Sequence, residues 1–141
     1  MMGAKRIVVA LLAVVMCSCL APQNSLMVGV DVNSWSATES LIYENSDTLT
    51  LRNLNIAVRY NKDFDKAVLP LKIAVTTPDE RCFEEEVELR LQRSDRSFIA
   101  TTIESLPYRD SAVLAQKGNY IFAFTPLTEV RGIEAIGVEF K

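Results

Sequence analysis

Apolar and polar residues alternate along most of this chain beyond its first 24 residues. Leu54, Ile56, Val58 and Tyr60 are separated by Asn, Ala and Arg, for example. A period of two is typical of strands that bury one face and expose the other. The runs with this alternation are residues 54–60, 71–75, 83–91, 120–124 and 136–140.

Two places interrupt this pattern. Pro70 cannot donate a hydrogen bond to a neighbouring strand, so it predicts a strand start or an edge. Leu49 and Leu51 lie on the opposite phase from the run that begins at Leu54, which predicts a β-bulge or tight turn near Arg52 and Asn53. Residues 84–93 have the composition of a helix, but their alternation favours a strand. Residues 111–116 fit a short strand or a helical turn.

The fold class follows from the number and spacing of these runs. We predict about seven or eight strands, joined by turns at the spacing expected of an antiparallel sandwich. Strands do not alternate with helices in the pattern, which argues against a parallel sheet. We therefore predict an all-β protein with a single antiparallel β-sandwich, jelly-roll or immunoglobulin-like, after an N-terminal signal peptide.

The first 19 residues have the pattern of an export signal. Lys5 and Arg6 precede the ten apolar residues 7–16, which are followed by Cys17, Ser18 and Cys19. A positive segment, a short apolar segment and a small residue before the cut are the parts of a secretory signal. The apolar run is too short to span a bilayer, which takes ~20 residues.

The end of this signal also reads as a lipobox, in which a cysteine is diacylated and becomes the new N-terminus. Cys19 follows the small Ser18, whereas Cys17 follows the bulky Met16, so we predict lipidation at Cys19. The alternative is ordinary signal cleavage nearby with a spare cysteine. The predicted organisation is residues 1–18 as signal peptide, 19–24 as lipidated tether and 25–141 as the β-sandwich domain.

Charge and cysteine content agree with an exported lipoprotein. Removing the first 18 of 141 residues leaves 123, with 13 basic and 18 acidic residues and a net charge of −5. An acidic chain without a basic cluster is a poor partner for nucleic acid and has no polybasic membrane patch, so lipid must hold it to the membrane. Cys82 is left without a partner for an internal disulfide.

The absence of histidine excludes several kinds of chemistry. The chain contains no His, which removes Ser-His-Asp and Cys-His triads and most zinc sites. Residues 61–65 have the spacing of a calcium loop, but Lys66 replaces the required glycine, so a turn is expected. We predict no enzymatic activity, no cofactor and no metal.

Aromatic residues offer the remaining candidates for binding. Trp35, the only tryptophan, lies in a polar stretch and is either a cap on one end of the sandwich or an exposed contact. Trp35 and Tyr108 are our candidate contacts for a ligand or partner, and a glycan-binding module is the alternative function.

The order of motifs resembles the gliding-motility lipoprotein family GldH. A lipobox precedes the Trp35 segment and the strand around Leu71, and the chain closes on Gly118-Asn119-Tyr120-Ile121-Phe122 and Gly132-Ile133-Glu134-Ala135-Ile136-Gly137. The segment at residues 60–65 departs from the turn expected in that family.

The resemblance implies a small lipoprotein that serves the cell-envelope machinery for gliding, with no assigned catalytic residue. We accordingly expect a non-enzymatic accessory or structural component of such an assembly. It would be anchored by a diacylglyceryl-cysteine carrying fatty-acid (palmitate) chains, in the outer membrane, with envelope proteins as partners.

Overall fold

The computed structural model describes residues 25–92 and 101–141, which form eight strands. The predicted signal peptide, the tether and Cys19 lie outside the described residues. In the described ranges, no helix is long and apolar enough to cross a bilayer. The strands are β1 Ser25–Gly29, β2 Glu39–Asn45, β3 Arg52–Asn61, β4 Val68–Thr76, β5 Cys82–Arg90, β6 Thr101–Ala112, β7 Gly118–Pro126 and β8 Ile133–Phe140.

The strands form two antiparallel sheets of four. One sheet has the order β1-β8-β3-β6 and the other β2-β7-β4-β5. Each strand therefore pairs with the one placed symmetrically about the β4–β5 turn: β1 with β8, β2 with β7, β3 with β6 and β4 with β5. This is the strand order of a jelly roll, which confirms the predicted antiparallel sandwich.

The inner faces of the two sheets supply the core. Ile56 and Val58 of β3 face this core with Ile73 of β4 and Phe124 of β7, all four fully buried. Aromatic rings extend it, since Phe140 lies 4.4 Å from the Tyr43 ring centroid. Alternate residues of a strand point to opposite faces, so the period-two pattern marked these core positions correctly.

The pairing decides at which end of the sandwich each connection lies. We call the end where β1 begins the entry end; it also holds the β2–β3, β4–β5 and β6–β7 connections. Asn45 Nδ2 donates to the carbonyls of Leu114 (3.0 Å) and Gln116 (2.9 Å), and Asp79 N donates to Gln116 Oε1 (3.0 Å). These bonds join the three connections of the entry end.

The opposite end, which we call the far end, holds the β1–β2, β3–β4 and β7–β8 connections. Gly132 in the β7–β8 connection has φ +87°. A Cβ there would lie 2.7 Å from the carbonyl carbon of Asp63 and closer still to the Phe64 nitrogen. The β3–β4 and β7–β8 connections can therefore pack together only with glycine at this position.

The structure confirms the slip predicted near Arg52 and shows which conformation the ambiguous segments adopt. The register between β3 and β6 shifts on both sides of Leu54, close to the predicted bulge. Leu49 and Leu51 lie before β3 and are exposed. Residues 82–90 form a strand rather than a helix, and β6 extends into the segment 111–116 as far as Ala112.

Because Gly132 has a positive φ and lies against the β3–β4 connection, replacing it should lower stability much more than replacing a glycine in open space. We expect Gly132→Ala to lower the free energy of unfolding by at least about 2 kcal/mol, because the positive φ alone strains a side chain and the Cβ contact adds to it. Gly29→Ala is the control, with its nearest atom 4.0 Å from the added Cβ. Urea unfolding followed by Trp35 fluorescence measures both; equal losses would contradict this packing.

Candidate functional site

Trp35 belongs to the core of the far end and is not an exposed contact. Its side chain is only 1% exposed, and its Nε1 donates to the Ala37 carbonyl at 2.7 Å. Its backbone pairs with Val130 through two hydrogen bonds of 2.8 and 3.0 Å. The structure corrects the idea of an exposed Trp35 and agrees with the capping role, because this pairing joins the β1–β2 and β7–β8 connections.

Tyr108 lines a groove in the part of the chain that the structure describes. The groove lies between β5 and β6, each of which is one edge strand of its sheet, and extends to the entry end. Its volume is about 410 Å³. The lining residues are Leu54, Val75, Phe83, Glu84, Glu85, Tyr108, Arg109, Ala112, Leu114 and Phe122.

The wall of this groove includes a large apolar side chain that water reaches. Phe83 is 60% exposed although it lies on the inner phase of β5 and pairs with Val75 of β4. The edge position accounts for the exposure, because no other strand of residues 25–92 and 101–141 pairs with the outer side of β5. An exposed ring beside an apolar groove is a natural anchor point for a ligand or a partner.

Glu85 ties the two sheet edges together inside the groove. One carboxylate oxygen, Oε1, accepts hydrogen bonds from the Tyr108 hydroxyl and the Arg109 guanidinium. Arg109 also lies over the Tyr108 ring, with 4.3 Å between the guanidinium carbon and the ring centroid. Partial burial of Tyr108, together with its bond to Glu85, raises the pKa of its hydroxyl well above 10.0.

A second carboxylate links the same edges towards the far end. Glu104 of β6 accepts from the Tyr60 hydroxyl at 2.6 Å and from the backbone nitrogen of Gln92 at 3.0 Å. The open side of the sandwich is thus held at two places, by Glu85 and by Glu104. The groove is built to keep its shape when it is empty of ligand.

The polar groups of the groove are paired with one another. The Glu85 carboxylate forms an ion pair with Arg109, and the raised pKa of Tyr108 keeps its hydroxyl protonated near neutral pH. No group of three or more acidic or Cys side chains in the described ranges could hold a metal ion. Residues 61–65 form a turn in which Asn61 Oδ1 accepts from Asp63 N at 2.8 Å.

Of the two predicted contacts, only Tyr108 belongs to this site. Phe83, Glu85 and Arg109 also line this groove and were not predicted from the sequence. One signal was present: Glu85 falls on the same phase of β5 as Phe83 and Val87, and a carboxylate on a core-facing phase needs a partner. That partner could not be identified, because Tyr108 and Arg109 lie on another strand more than twenty residues along the chain.

The comparisons with known proteins leave the family open. No family model matches the chain, and no curated protein matches it significantly. The resemblance to the GldH family therefore stays a prediction from the sequence.

Stability at high pH tests the environment of Tyr108. The folded state raises the hydroxyl pKa above its ordinary value of 10.0, so it holds the proton more strongly than the unfolded state. This contribution is present below pH 10 and is lost as the pH rises above it. Wild-type stability should therefore fall more steeply between about pH 9 and 11 than that of Tyr108→Phe, with Glu85→Gln in between. Urea unfolding measures this; parallel curves would contradict the assignment.

Proposed function

We propose that this protein is a non-enzymatic lipoprotein, anchored through Cys19, that serves as an accessory component of a gliding-motility-type envelope assembly. The groove between β5 and β6 would be where it binds a protein of that assembly. The observation that carries the proposal is Phe83, a ring left 60% exposed at a groove lined mainly by apolar side chains, in which Glu85 is paired with Arg109.

The groove has the properties of a docking site for a protein side chain. A volume of about 410 Å³ accommodates one or two large apolar side chains of a partner. Because Glu85 and Glu104 hold the edges in place, little ordering entropy would be lost on binding. Aromatic anchors in pockets of this kind carry much of the binding energy at protein interfaces.

Localisation depends on the lipobox. Cys19 follows the small residue Ser18 and the predicted signal sequence. A diacylglyceryl group with an N-acyl chain gives stable anchoring, which a single chain does not. The outer membrane is the membrane we propose.

Lipid labelling tests the anchor. Cells grown with an alkyne fatty acid should incorporate the label into the wild-type protein and into Cys17→Ala, because Cys17 is removed with the signal. Cys19→Ala should lose the label, since the acceptor sulfur is gone. In-gel fluorescence after click chemistry measures this. Loss of label in Cys17→Ala alone would move the anchor to Cys17.

A pull-down tests the groove. Envelope proteins crosslinked to the wild-type protein in cells should be lost, by about tenfold or more, from Phe83→Ser, because a buried Phe anchor contributes at least 1.4 kcal/mol. Ile42→Ser is the matched control, because Ile42 is 59% exposed but lies on the outer face of β2. Quantitative mass spectrometry gives the ratio. Equal recovery with both variants would exclude the groove as the docking site.

Glycan binding is the second candidate. The observation in its favour is that the exposed Phe83 ring lies in the same groove as Glu84 and Arg109, a combination of stacking surface and hydrogen-bonding groups. Trp35 fluorescence would not report binding here, because Trp35 is buried at the far end. Calorimetric titration with envelope polysaccharides tests this candidate, and heat lost in Phe83→Ser but kept in Ile42→Ser would support it.

A further inference from the structure

The entry end of the sandwich carries a second apolar feature, separate from the groove lining. Leu49 is 87% exposed and Leu51 is 64% exposed, both in the β2–β3 connection, and Val113 in the β6–β7 connection is 40% exposed. Arg52 pairs with Ala112. Leu51 precedes Arg52 and Val113 follows Ala112, so these two residues leave the paired strands at the same point. We call Leu49, Leu51 and Val113 the apolar tip.

The backbone around the tip is fixed. Asp47 Oδ1 accepts hydrogen bonds from the backbone nitrogens of Leu49 and Thr50, both at 3.0 Å. The side-chain hydrogen bond from Thr50, together with these two backbone bonds, lowers the pKa of Asp47 to about 2, so the carboxylate stays charged and keeps the turn in place at neutral pH. Leu49 is therefore held in water by an ordered turn, which costs free energy unless something covers it.

The tip lies at the end through which the chain is joined to its predicted anchor. Ser25 begins β1 and is level with Asn55 of β3 across the shared neighbour Glu139, while β3 begins at Arg52. The tether, from Cys19 to residue 24, is six residues long and ends directly before Ser25. They reach at most about 20 Å when fully extended, at 3.3–3.6 Å per residue.

The far end is much more distant from the anchor. β3 runs from one end of the sandwich to the other over ten residues. A rise of about 3.3 Å per residue makes the sandwich about 30 Å long in this direction. A tether of about 20 Å therefore favours the entry end as the face turned to the bilayer.

We infer that the apolar tip inserts into the lipid surface and holds the domain upright on its anchor, with the β5–β6 groove opening sideways just above the membrane. This rests on the proposed lipidation of Cys19. The occupant of the tip is the bilayer interface, because Leu49, Leu51 and Val113 project from the end nearest the lipid. Partial burial of such side chains is how interfacial segments bind membranes.

The charges near the tip indicate that this contact is apolar. The β2–β3 connection contains one acid, Asp47, and the β6–β7 connection contains one base, Lys117, while the β4–β5 connection contains Asp79, Glu80 and Arg81. Three acids and two bases give these connections a net charge of −1 without a basic cluster, so the contact does not depend on anionic lipid. Binding should therefore proceed on zwitterionic phosphatidylcholine vesicles and change little between low and high salt.

The first experiment removes the lipid so that the tip is measured alone. The mature chain, residues 19–141 with Cys19→Ala, lacks both the lipid and the apolar signal segment and should bind phosphatidylcholine vesicles weakly in a flotation assay. Adding Leu49→Ser and Leu51→Ser should weaken this binding by roughly tenfold or more, since each buried Leu contributes over a factor of ten. The control is Ile103→Ser with Leu127→Ser, because these side chains are 62% and 45% exposed at the opposite end. Equal effects of the two pairs would overturn the inference.

The second experiment uses the lipidated protein. An environment-sensitive dye on Leu49→Cys, in a Cys82→Ser background, should shift to the blue and be quenched by nitroxide lipids, whereas the same dye on Ile103→Cys should not. An unquenched dye at residue 49 on a protein that carries the fatty-acid label would overturn the tip and leave the anchor standing. A protein without the label whose vesicle binding still depends on Leu49 and Leu51 would overturn the anchor and support the tip.

Discussion

Antiparallel pairing between strands placed symmetrically about the β4–β5 turn is the constraint on which the rest of the structure depends. It builds two sheets whose inner faces share one apolar core. It also assigns each connection to an end and places the edge strands β5 and β6 on the same side of the sandwich. The groove, the cap formed by Trp35 and the exposed leucines all follow from this assignment.

The two ends of the molecule have different physical characters as a result. The far end is closed by Trp35 paired with Val130, and by the β3–β4 connection packed on Gly132. At the entry end, hydrogen bonds join the connections, with Asn45 as a donor and Gln116 as an acceptor. Leu49 and Leu51 project from this end into solvent. A domain held by lipid at one end only would use such a difference, because one face meets the bilayer and the other meets the aqueous envelope.

Most of the fold could be predicted from the sequence, because burial of one strand face leaves a period of two. The slip before Leu54 was visible for the same reason, since it changes the phase of the pattern. Trp35 was harder, because its polar neighbours suggest exposure and its burial depends on Val130, far along the chain. Phe83 shows the converse: its phase indicates the core, but its strand lies at a sheet edge, and the ring is 60% exposed.

The groove could be identified only in the structure, whereas the proposed anchor at Cys19 rests on the sequence alone. The central claim joins them: the entry end faces the membrane. Energy transfer from a donor on Cys82, an exposed residue at the entry end, to acceptor lipids tests it in the lipidated protein. The comparison is a donor on Ile103→Cys in a Cys82→Ser background. The account predicts clearly higher transfer from Cys82, because the ends are about 30 Å apart. Equal transfer, or higher transfer from residue 103, would contradict it.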